Sequence, residues 1–280
     1  MAAAPPKLRI LALHGFASNA FHFNRRLGSF RKATGAVAEL HFLNAPHLVQ
    51  PVSVTLGLEA RDDLVDENTP LEEQPRAWWR ANGQGQSQYD GWPETLAFLN
   101  DALAEHGPFD AVLGFSQGGC LAGLLVSAFE DASRLPGLVL PASQKPLKFA
   151  INVSGFRAAD ERMKACFPRE GIRTPVLHVL GRNDQIVEEE RAQTLVSAFK
   201  STSRVEHHDG GHALPTQAPW RQFFKAFFEH FAAEDYTPSD AWRDVAPPSA
   251  RPFGMQPDSA PGSGAVTPRD DGKPDGKSSL

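Results

Sequence analysis

The sequence predicts an α/β protein with a mostly parallel central sheet and helices on both of its faces. Short apolar runs alternate with longer amphipathic segments from residue 8 to residue 232. Alternation of strands and helices is typical of parallel sheets, and continuous apolar runs suit strands that are buried on both sides. Because no linker interrupts the alternation, one domain is expected over residues 8–236.

The expected elements follow the chain in a regular order. Strands are predicted where the apolar runs lie, over Leu8–Leu13, Glu39–Leu43, Phe109–Phe115, Phe149–Val153, Thr174–Leu180 and Arg204–His208. Helices are predicted where apolar residues recur at intervals of three and four, over Phe21–Ala33, Pro93–Glu105, Gly119–Phe129, Glu188–Phe199 and Trp220–Phe231.

Two long segments depart from this alternation. Residues 48–90 are interrupted by Pro and Gly, and loops of that length in compact domains are usually functional or disordered. Trp78 and Trp79 favour a packed flap beside a site, although they could simply anchor the loop to the core. Residues 237–280 are rich in Pro and Gly and are expected to form a disordered tail. Residues 1–7 are expected to be a flexible N-terminus.

Composition argues against several classes of partner. The 280-residue chain has a formal net charge of −5, so it lacks the basic footprint of a nucleic-acid-binding protein. No apolar run reaches the roughly 18 residues of a membrane span, and the first residues do not resemble a secretory signal. Cys120 and Cys166 are expected to be reduced thiols rather than a disulfide. Together these features favour a cytoplasmic protein.

The stretch Gly114-Phe115-Ser116-Gln117-Gly118 has G-x-S-x-G spacing. The pattern is short enough to arise by chance, and a tight turn with one polar residue would also produce it. Here it lies between a predicted strand and a predicted helix, which is the setting of a nucleophile elbow. An elbow requires a positive φ at Ser116, an uncommon state for a residue other than glycine.

A serine nucleophile also needs a base and a carboxylate that orients the base. Among ten histidines, His212 stands out because it follows two glycines just beyond a predicted strand, on a loop before the last helix. Asp184 follows another strand in the same way, with a helix N-cap as its alternative role. The chain order Ser116, Asp184, His212 is the order expected of α/β-hydrolases.

The tetrahedral oxyanion formed on such a serine needs backbone donors. Phe16 N–H, in the loop after the first strand, and Gln117 N–H are the predicted pair. His14 is expected to buttress that loop rather than to act as a base. Phe16, Trp78 and Trp79 are the candidate apolar surface for an acyl chain.

Several motifs together resemble the fungal and animal family of small serine hydrolases that includes the ovarian-cancer-associated hydrolase. The motifs are Ile10–Phe16, Phe42–His47, Arg76–Trp79, Gly107–Gly118, Gly181–Asp184 and Gly210–His212. The resemblance implies an α/β-hydrolase fold without a large lid domain, with Ser116, Asp184 and His212 as the triad. Two features depart from the family pattern: the spacer at residues 130–147 is long, and the tail has no counterpart in it.

The resemblance also implies an activity. Its members are serine esterases acting on acyl esters or thioesters, and some fungal ones release products of secondary metabolism from a polyketide synthase. A small acyl ester or thioester is therefore the expected substrate and a polyketide synthase a candidate partner, with no cofactor or metal expected. Two alternatives stay open: a non-catalytic binding module on the same fold, and a peptidase that uses the same triad.

Overall fold

The computed structural model describes residues 7–51, 65–82, 87–233 and 236–248. Within these residues the strands are β1 (Leu8–Leu13), β2 (Ala38–Leu43), β3 (His47–Leu48), β4 (Arg76–Ala77), β5 (Arg80–Asn82), β6 (Gln88–Asp90), β7 (Ala111–Phe115), β8 (Phe149–Val153), β9 (Val176–Gly181) and β10 (Ser203–His208). The α-helices are α1 (Ala20–Arg26), α2 (Gly28–Thr34), α3 (Trp92–His106), α4 (Gln117–Glu130), α5 (Glu189–Phe199) and α6 (Ala218–Ala232).

The centre of the fold is a parallel sheet of six strands in the order β10-β9-β8-β7-β1-β2. The chain leaves β1 toward β2 on one side and returns to β7 on the other side of β1. Neighbouring strands whose connections leave in opposite directions open a crevice at their carboxyl ends, where ligands of α/β proteins bind. The crevice between β1 and β7 therefore marks the place to look for a site.

The predicted mostly parallel sheet is confirmed, and its strands begin and end within two residues of the predicted bounds. Four of the predicted helices are equally close to prediction. The single helix predicted over Phe21–Ala33 is wrong, because the structure has α1 and α2 there, separated at Leu27. Gly28 follows the break, and glycine lowers helix stability by about 1 kcal/mol relative to alanine.

Helices cover both faces of the sheet, as predicted. Helices α3, α4 and α5 pack on one face, and α1, α2 and α6 pack on the other. Helix α6 presents a row of buried aromatic side chains at helical spacing, namely Trp220, Phe223, Phe224, Phe227, Phe228 and Phe231. Three of these rings lie within 6 Å of the ring of Phe149 in β8, so this helix is held by aromatic packing.

Both cysteines are free thiols and buried, as the sequence predicts. Burial raises the pKa of the Cys120 thiol and of the Cys166 thiol to about 12. Since the thiolate is the reactive form, neither side chain is a candidate nucleophile.

The segment predicted to be a flap contains two small antiparallel sheets in its described part, β3 with β4 and β5 with β6. Its residues 52–64 and 83–86 lie outside the described residues. Trp78 and Trp79 are 0% and 1% exposed. Both indoles therefore anchor the segment to the core, which was the alternative considered for them from the sequence.

The predicted tail over residues 237–280 begins with a packed segment. Residues Asp240–Asp244 form a short 3-10 helix, and Trp242 is only 1% exposed, 6.1 Å from the ring of Phe227. The Arg204 guanidinium donates hydrogen bonds to the backbone carbonyls of Trp242, Arg243 and Val245. The Pro- and Gly-rich composition of residues 237–280 predicts disorder throughout and gives no indication that Trp242 is buried. Residues 249–280 lie outside the described residues, as do residues 1–6.

We expect Trp242→Ala to lower the free energy of unfolding by about 3 kcal/mol, because it removes a fully buried aromatic ring. Trp242→Phe should recover part of the loss, since it keeps an aromatic ring against α6. Urea denaturation followed by circular dichroism measures both changes. Equal midpoints for the alanine variant and the wild type would show that this segment does not stabilise the domain.

Candidate active site

Ser116 sits on a sharp turn between β7 and α4, at the carboxyl end of the sheet. Its backbone has φ 54° and ψ −116°, so the positive φ predicted from the sequence is confirmed. The Ser116 N–H donates to the carbonyl of Val153 at 2.9 Å, which ties the turn to β8. Strained backbone of this kind costs about 1–3 kcal/mol and clusters at functional sites.

Two glycines allow the turn to form. A Cβ atom on Gly114 would lie 2.1 Å from the carbonyl oxygen of Gly118, and one on Gly118 would lie 2.2 Å from that of Leu13. Both distances are far below van der Waals contact, and the opposing atoms are backbone. The first turn of α4 can therefore approach β1 and β7 only with glycine at both positions.

Asp184 and His212 meet on the neighbouring loops. His212 Nδ1 lies 2.8 Å from Asp184 Oδ2. The other carboxylate oxygen accepts the N–H groups of Ile186 and Val187 at 3.0 and 2.9 Å. The alternative role of Asp184 as N-cap of α5 does not apply, because α5 begins at Glu189 with Glu188 in the cap position.

The charge state of Asp184 decides how His212 is protonated. Burial alone would raise the pKa of the Asp184 carboxyl, but the hydrogen bonds from Val187 and His212 outweigh it, and the pKa is below its usual value. An ionised carboxylate only accepts hydrogen bonds. His212 must therefore carry its proton on Nδ1, which leaves a lone pair on Nε2 for a base.

The imidazole lies beside the strand that carries the serine. Its centroid is 4.7 Å from the ring of Phe115, the residue before Ser116. No hydrogen bond joins the Ser116 hydroxyl to His212 in this structure. In enzymes without substrate such contacts are often long and tighten in the reactive complex.

The predicted oxyanion donors lie on the two segments that meet at Ser116. Gln117 is the first residue of α4, where backbone N–H groups have no partner inside the helix. Phe16 follows Gly15, and a Cβ atom on Gly15 would lie 3.2 Å from Ser116 Cβ. The Phe16 loop therefore passes directly against the serine.

His14 supports this loop from below, as expected from the sequence. Its Nε2 accepts the Ala45 N–H at 3.1 Å, and its Nδ1 donates to the Gly15 carbonyl at 2.7 Å. Burial, together with the positive charge of Arg76, lowers the pKa of His14 to about 4. The imidazole is therefore neutral near pH 7 and holds the loop through one donated and one accepted bond.

Gln117 connects the turn at Ser116 to the segment with Trp78 and Trp79. Its side-chain oxygen accepts Trp78 N–H and its amide donates to the Trp79 carbonyl, both at 2.9 Å. The Trp78 indole donates to the carbonyl of His14 at 2.8 Å. Trp78 thus faces the interior and does not line the cavity, contrary to its predicted part in binding an acyl chain.

Ser116 opens into a cavity of about 630 Å³. The lining residues are Phe16, Trp79, Ala81, Tyr89, Ser116, Gln117, Phe156, Arg157, Ala159, Ile186, Val187, Arg191 and Thr194. Phe16 and Trp79, two of the residues predicted to contact an acyl chain, belong to this wall. Phe156, Arg157 and Ala159 were not predicted from the sequence, although their position just beyond the carboxyl end of β8 is a signal that points to them.

The fold and this constellation define the class of the protein as an α/β-hydrolase. Two solved structures share the fold: acyl-protein thioesterase 2 of Zea mays (TM-score 0.55, 18% identity, covering 83% of this chain and 97% of that one), and SOBER1 of Arabidopsis thaliana (TM-score 0.52, 20% identity, covering 81% and 100%).

Closer relatives specify the family. The family Serine hydrolase (FSH1) matches residues 2–224. Esterase OVCA2 of Homo sapiens is 35% identical over 241 residues, which cover 83% of this chain and 100% of that protein. Esterase CG5412 of Drosophila melanogaster is 32% identical over 230 residues, covering 80% and 74%. The chain belongs to the FSH1 serine hydrolase family, and it is an enzyme.

No helix in the described ranges is long and apolar enough to cross a membrane.

We expect Gly118→Ala to destabilise the protein severely or to prevent its folding, because the new Cβ would meet the Leu13 carbonyl at 2.2 Å. Gly28→Ala is the matched control, since a Cβ at Gly28 meets nothing within 4 Å. It should change the free energy of unfolding by less than about 1 kcal/mol. Soluble yield and thermal melting measure both. An alanine variant at Gly118 that melts like the wild type would contradict the close approach.

His14 should make the free energy of unfolding depend on pH between about 4 and 6.5, the folded and unfolded pKa values of its imidazole. In that range the unfolded chain binds a proton that the folded protein excludes, so stability falls as the pH falls, by up to roughly 3 kcal/mol in total. In His14→Gln the slope should be shallower by up to about 1.4 kcal/mol per pH unit. Urea denaturation at several pH values tests this, and an unchanged slope would contradict it.

Proposed function

We propose that this enzyme hydrolyses carboxylic esters and thioesters through an acyl-enzyme intermediate on Ser116. Asp184 and His212 complete the triad, and the backbone N–H groups of Phe16 and Gln117 bind the oxyanion. The observation that carries the proposal is the 2.8 Å contact between His212 Nδ1 and Asp184 Oδ2. It leaves His212 Nε2 available as a base on a loop beside the strained serine.

The chemistry proceeds in two halves. Ser116 Oγ attacks the acyl carbon while His212 Nε2 takes the hydroxyl proton, and the carbonyl oxygen becomes an oxyanion that accepts the two backbone N–H groups. The bond to the leaving group then breaks, and the alcohol or thiol departs with the proton from His212. Water repeats the sequence on the acyl-enzyme, which releases the carboxylic acid and restores Ser116.

Asp184 contributes orientation and charge. Because it accepts from His212 Nδ1, it fixes the tautomer that can act as a base, and it stabilises the imidazolium that forms during each proton transfer. Its second oxygen is held by two backbone N–H groups at 2.9 and 3.0 Å, so the carboxylate cannot rotate away from the imidazole without losing them.

The substrate class follows from the relatives and from the cavity wall. Two relatives are named esterases, and a protein of the same fold is named an acyl-protein thioesterase. Phe16, Trp79, Tyr89 and Phe156 give the cavity an aromatic wall that suits an acyl chain. A polyketide-type acyl thioester presented by a synthase falls within this class. Two free buried thiols support work in a reducing compartment such as the cytoplasm.

We expect Ser116→Ala to abolish hydrolysis of para-nitrophenyl acyl esters and labelling by a fluorophosphonate, because both require the serine oxygen. Ser127→Ala is the control, since this serine is buried on the same helix, away from the cavity. It should keep activity and labelling. Esterase assays and intact-protein mass spectrometry provide the readouts. Full activity in the Ser116 variant would refute the proposed nucleophile.

A further inference from the structure

The loop that carries His212, residues 209–213, begins beside a second histidine. His208 is the last residue of β10, and its side chain is buried. It is not among the described residues that line the cavity at Ser116. Buried polar side chains are generally hydrogen-bonded, so the contacts of this imidazole indicate what it does.

The His208 imidazole accepts a hydrogen bond from the backbone of the loop. The Gly210 N–H donates to His208 Nδ1 at 3.1 Å. Burial lowers the pKa of His208, which favours the neutral imidazole near pH 7. A neutral imidazole has one ring nitrogen that accepts and one that carries the proton. Because Nδ1 accepts here, the proton of His208 lies on Nε2.

The His208 ring is packed between the loop and the last helix. A Cβ atom on Gly210 would lie 2.9 Å from His208 Nδ1 and 3.2 Å from its Cε1, so the glycine backbone lies directly against the imidazole. The indole of Trp220 in α6 packs edge-on against the same ring, with 5.9 Å between the centroids. The ring therefore has little freedom to turn Nδ1 away from the Gly210 N–H.

Gly210 is also held by the loop that carries Asp184. The Asn183 N–H donates to the Gly210 carbonyl at 3.1 Å, and the Arg182 N–H donates to the His208 carbonyl at 2.8 Å. The N–H of Gly210 is thus bonded to the imidazole, and its carbonyl is bonded to the neighbouring loop. These bonds fix the start of one loop against the other, two residues before His212.

We propose that His208 is a positioning residue for the catalytic base. By accepting the Gly210 N–H, it holds the loop in the conformation in which His212 meets Asp184. The inference rests on the proposed function, because it requires His212 to be the base. Gly210 and Gly211 precede His212 and have no side chains that could anchor the loop, so backbone hydrogen bonds determine where the imidazole lies.

Three substitutions at His208 separate the acceptor from the rest of the side chain. His208→Asn keeps it, because the asparagine Oδ1 takes nearly the position of Nδ1. His208→Leu is similar in size to asparagine but has no acceptor. His208→Gln is polar, but its carbonyl reaches toward the position of Nε2 instead. The control is His207→Leu, because this neighbouring imidazole contacts Glu189 at 3.1 Å.

The measured quantities are kcat and KM for para-nitrophenyl butyrate, per active site titrated with a fluorophosphonate, so that unfolded protein does not count. We expect kcat to fall about tenfold in His208→Leu and His208→Gln, because a buried N–H without an acceptor disfavours the reactive loop conformation. KM should change by less than about twofold, since His208 does not line the cavity. His208→Asn and His207→Leu should keep the kcat of the wild type.

Amide hydrogen exchange gives a second readout, which is independent of catalysis. The Gly210 amide should exchange slowly in the wild type and in His208→Asn, and faster in the leucine and glutamine variants. Circular dichroism and thermal melting establish which variants are folded. If leucine at this position prevents folding, the glutamine variant provides the comparison.

The outcomes separate the positioning role from the proposed function. A wild-type kcat in a folded leucine or glutamine variant would overturn the role of His208 while the esterase mechanism stands. An equal loss in the asparagine and leucine variants would also overturn it, as would failure of both acceptor-free variants to fold, since the acceptor would then serve the whole domain. Absence of ester turnover by the wild type, with no fluorophosphonate adduct at Ser116, would instead refute the proposed function itself.

Discussion

The site depends on how closely the first turn of α4 approaches the ends of β1 and β7. A side chain at Gly118 would meet the Leu13 carbonyl at 2.2 Å, and one at Gly114 would meet the Gly118 carbonyl at 2.1 Å. This contact forces Ser116, between the two glycines, into a positive φ of 54°. It also brings Gln117, whose N–H has no partner inside the helix, to the crevice between β1 and β7, where the Phe16 loop passes. The proposed nucleophile and the proposed oxyanion donors are thus positioned by one backbone packing arrangement.

Buried polar bonds keep that arrangement in place. The side-chain amide of Gln117 accepts the Trp78 backbone N–H and donates to the Trp79 carbonyl. The Trp78 indole N–H donates to the carbonyl of His14. His14 in turn holds the loop that carries Phe16. Because each of these groups is buried, breaking one bond would leave a polar atom without compensation, which costs about 1–3 kcal/mol. The segment with Trp78 and Trp79 therefore braces the loop that carries Phe16 and also forms part of the cavity wall.

The sequence predicts those features that depend on local patterns. Ser116, Asp184 and His212 each stand just beyond a strand, and strand ends are visible as apolar runs, so the constellation could be assembled before the structure. The two tryptophans could not be separated in this way, because they are adjacent in sequence and only tertiary packing turns Trp78 inward and Trp79 to the cavity. The burial of Trp242 was not predicted for a related reason. The Pro-rich composition around it indicates disorder, and only the structure shows that this one ring packs into the domain.

The residues that line the cavity and the proposed catalytic residues come largely from different segments of the chain. The proposed triad stands on loops after β7, β9 and β10, whereas Phe156, Arg191 and Thr194 of the cavity wall come from the loop after β8 and from α5. Acyl transfer at a serine needs the same three groups whatever the substrate, so they carry no information about its charge. The loop after β8 and α5 supply part of the cavity wall instead, and Thr194 couples these two segments because its Oγ1 accepts the Arg157 N–H and donates to the Arg191 carbonyl. Exchange of residues in these two segments can therefore change which ester is bound while the geometry at Ser116 is preserved.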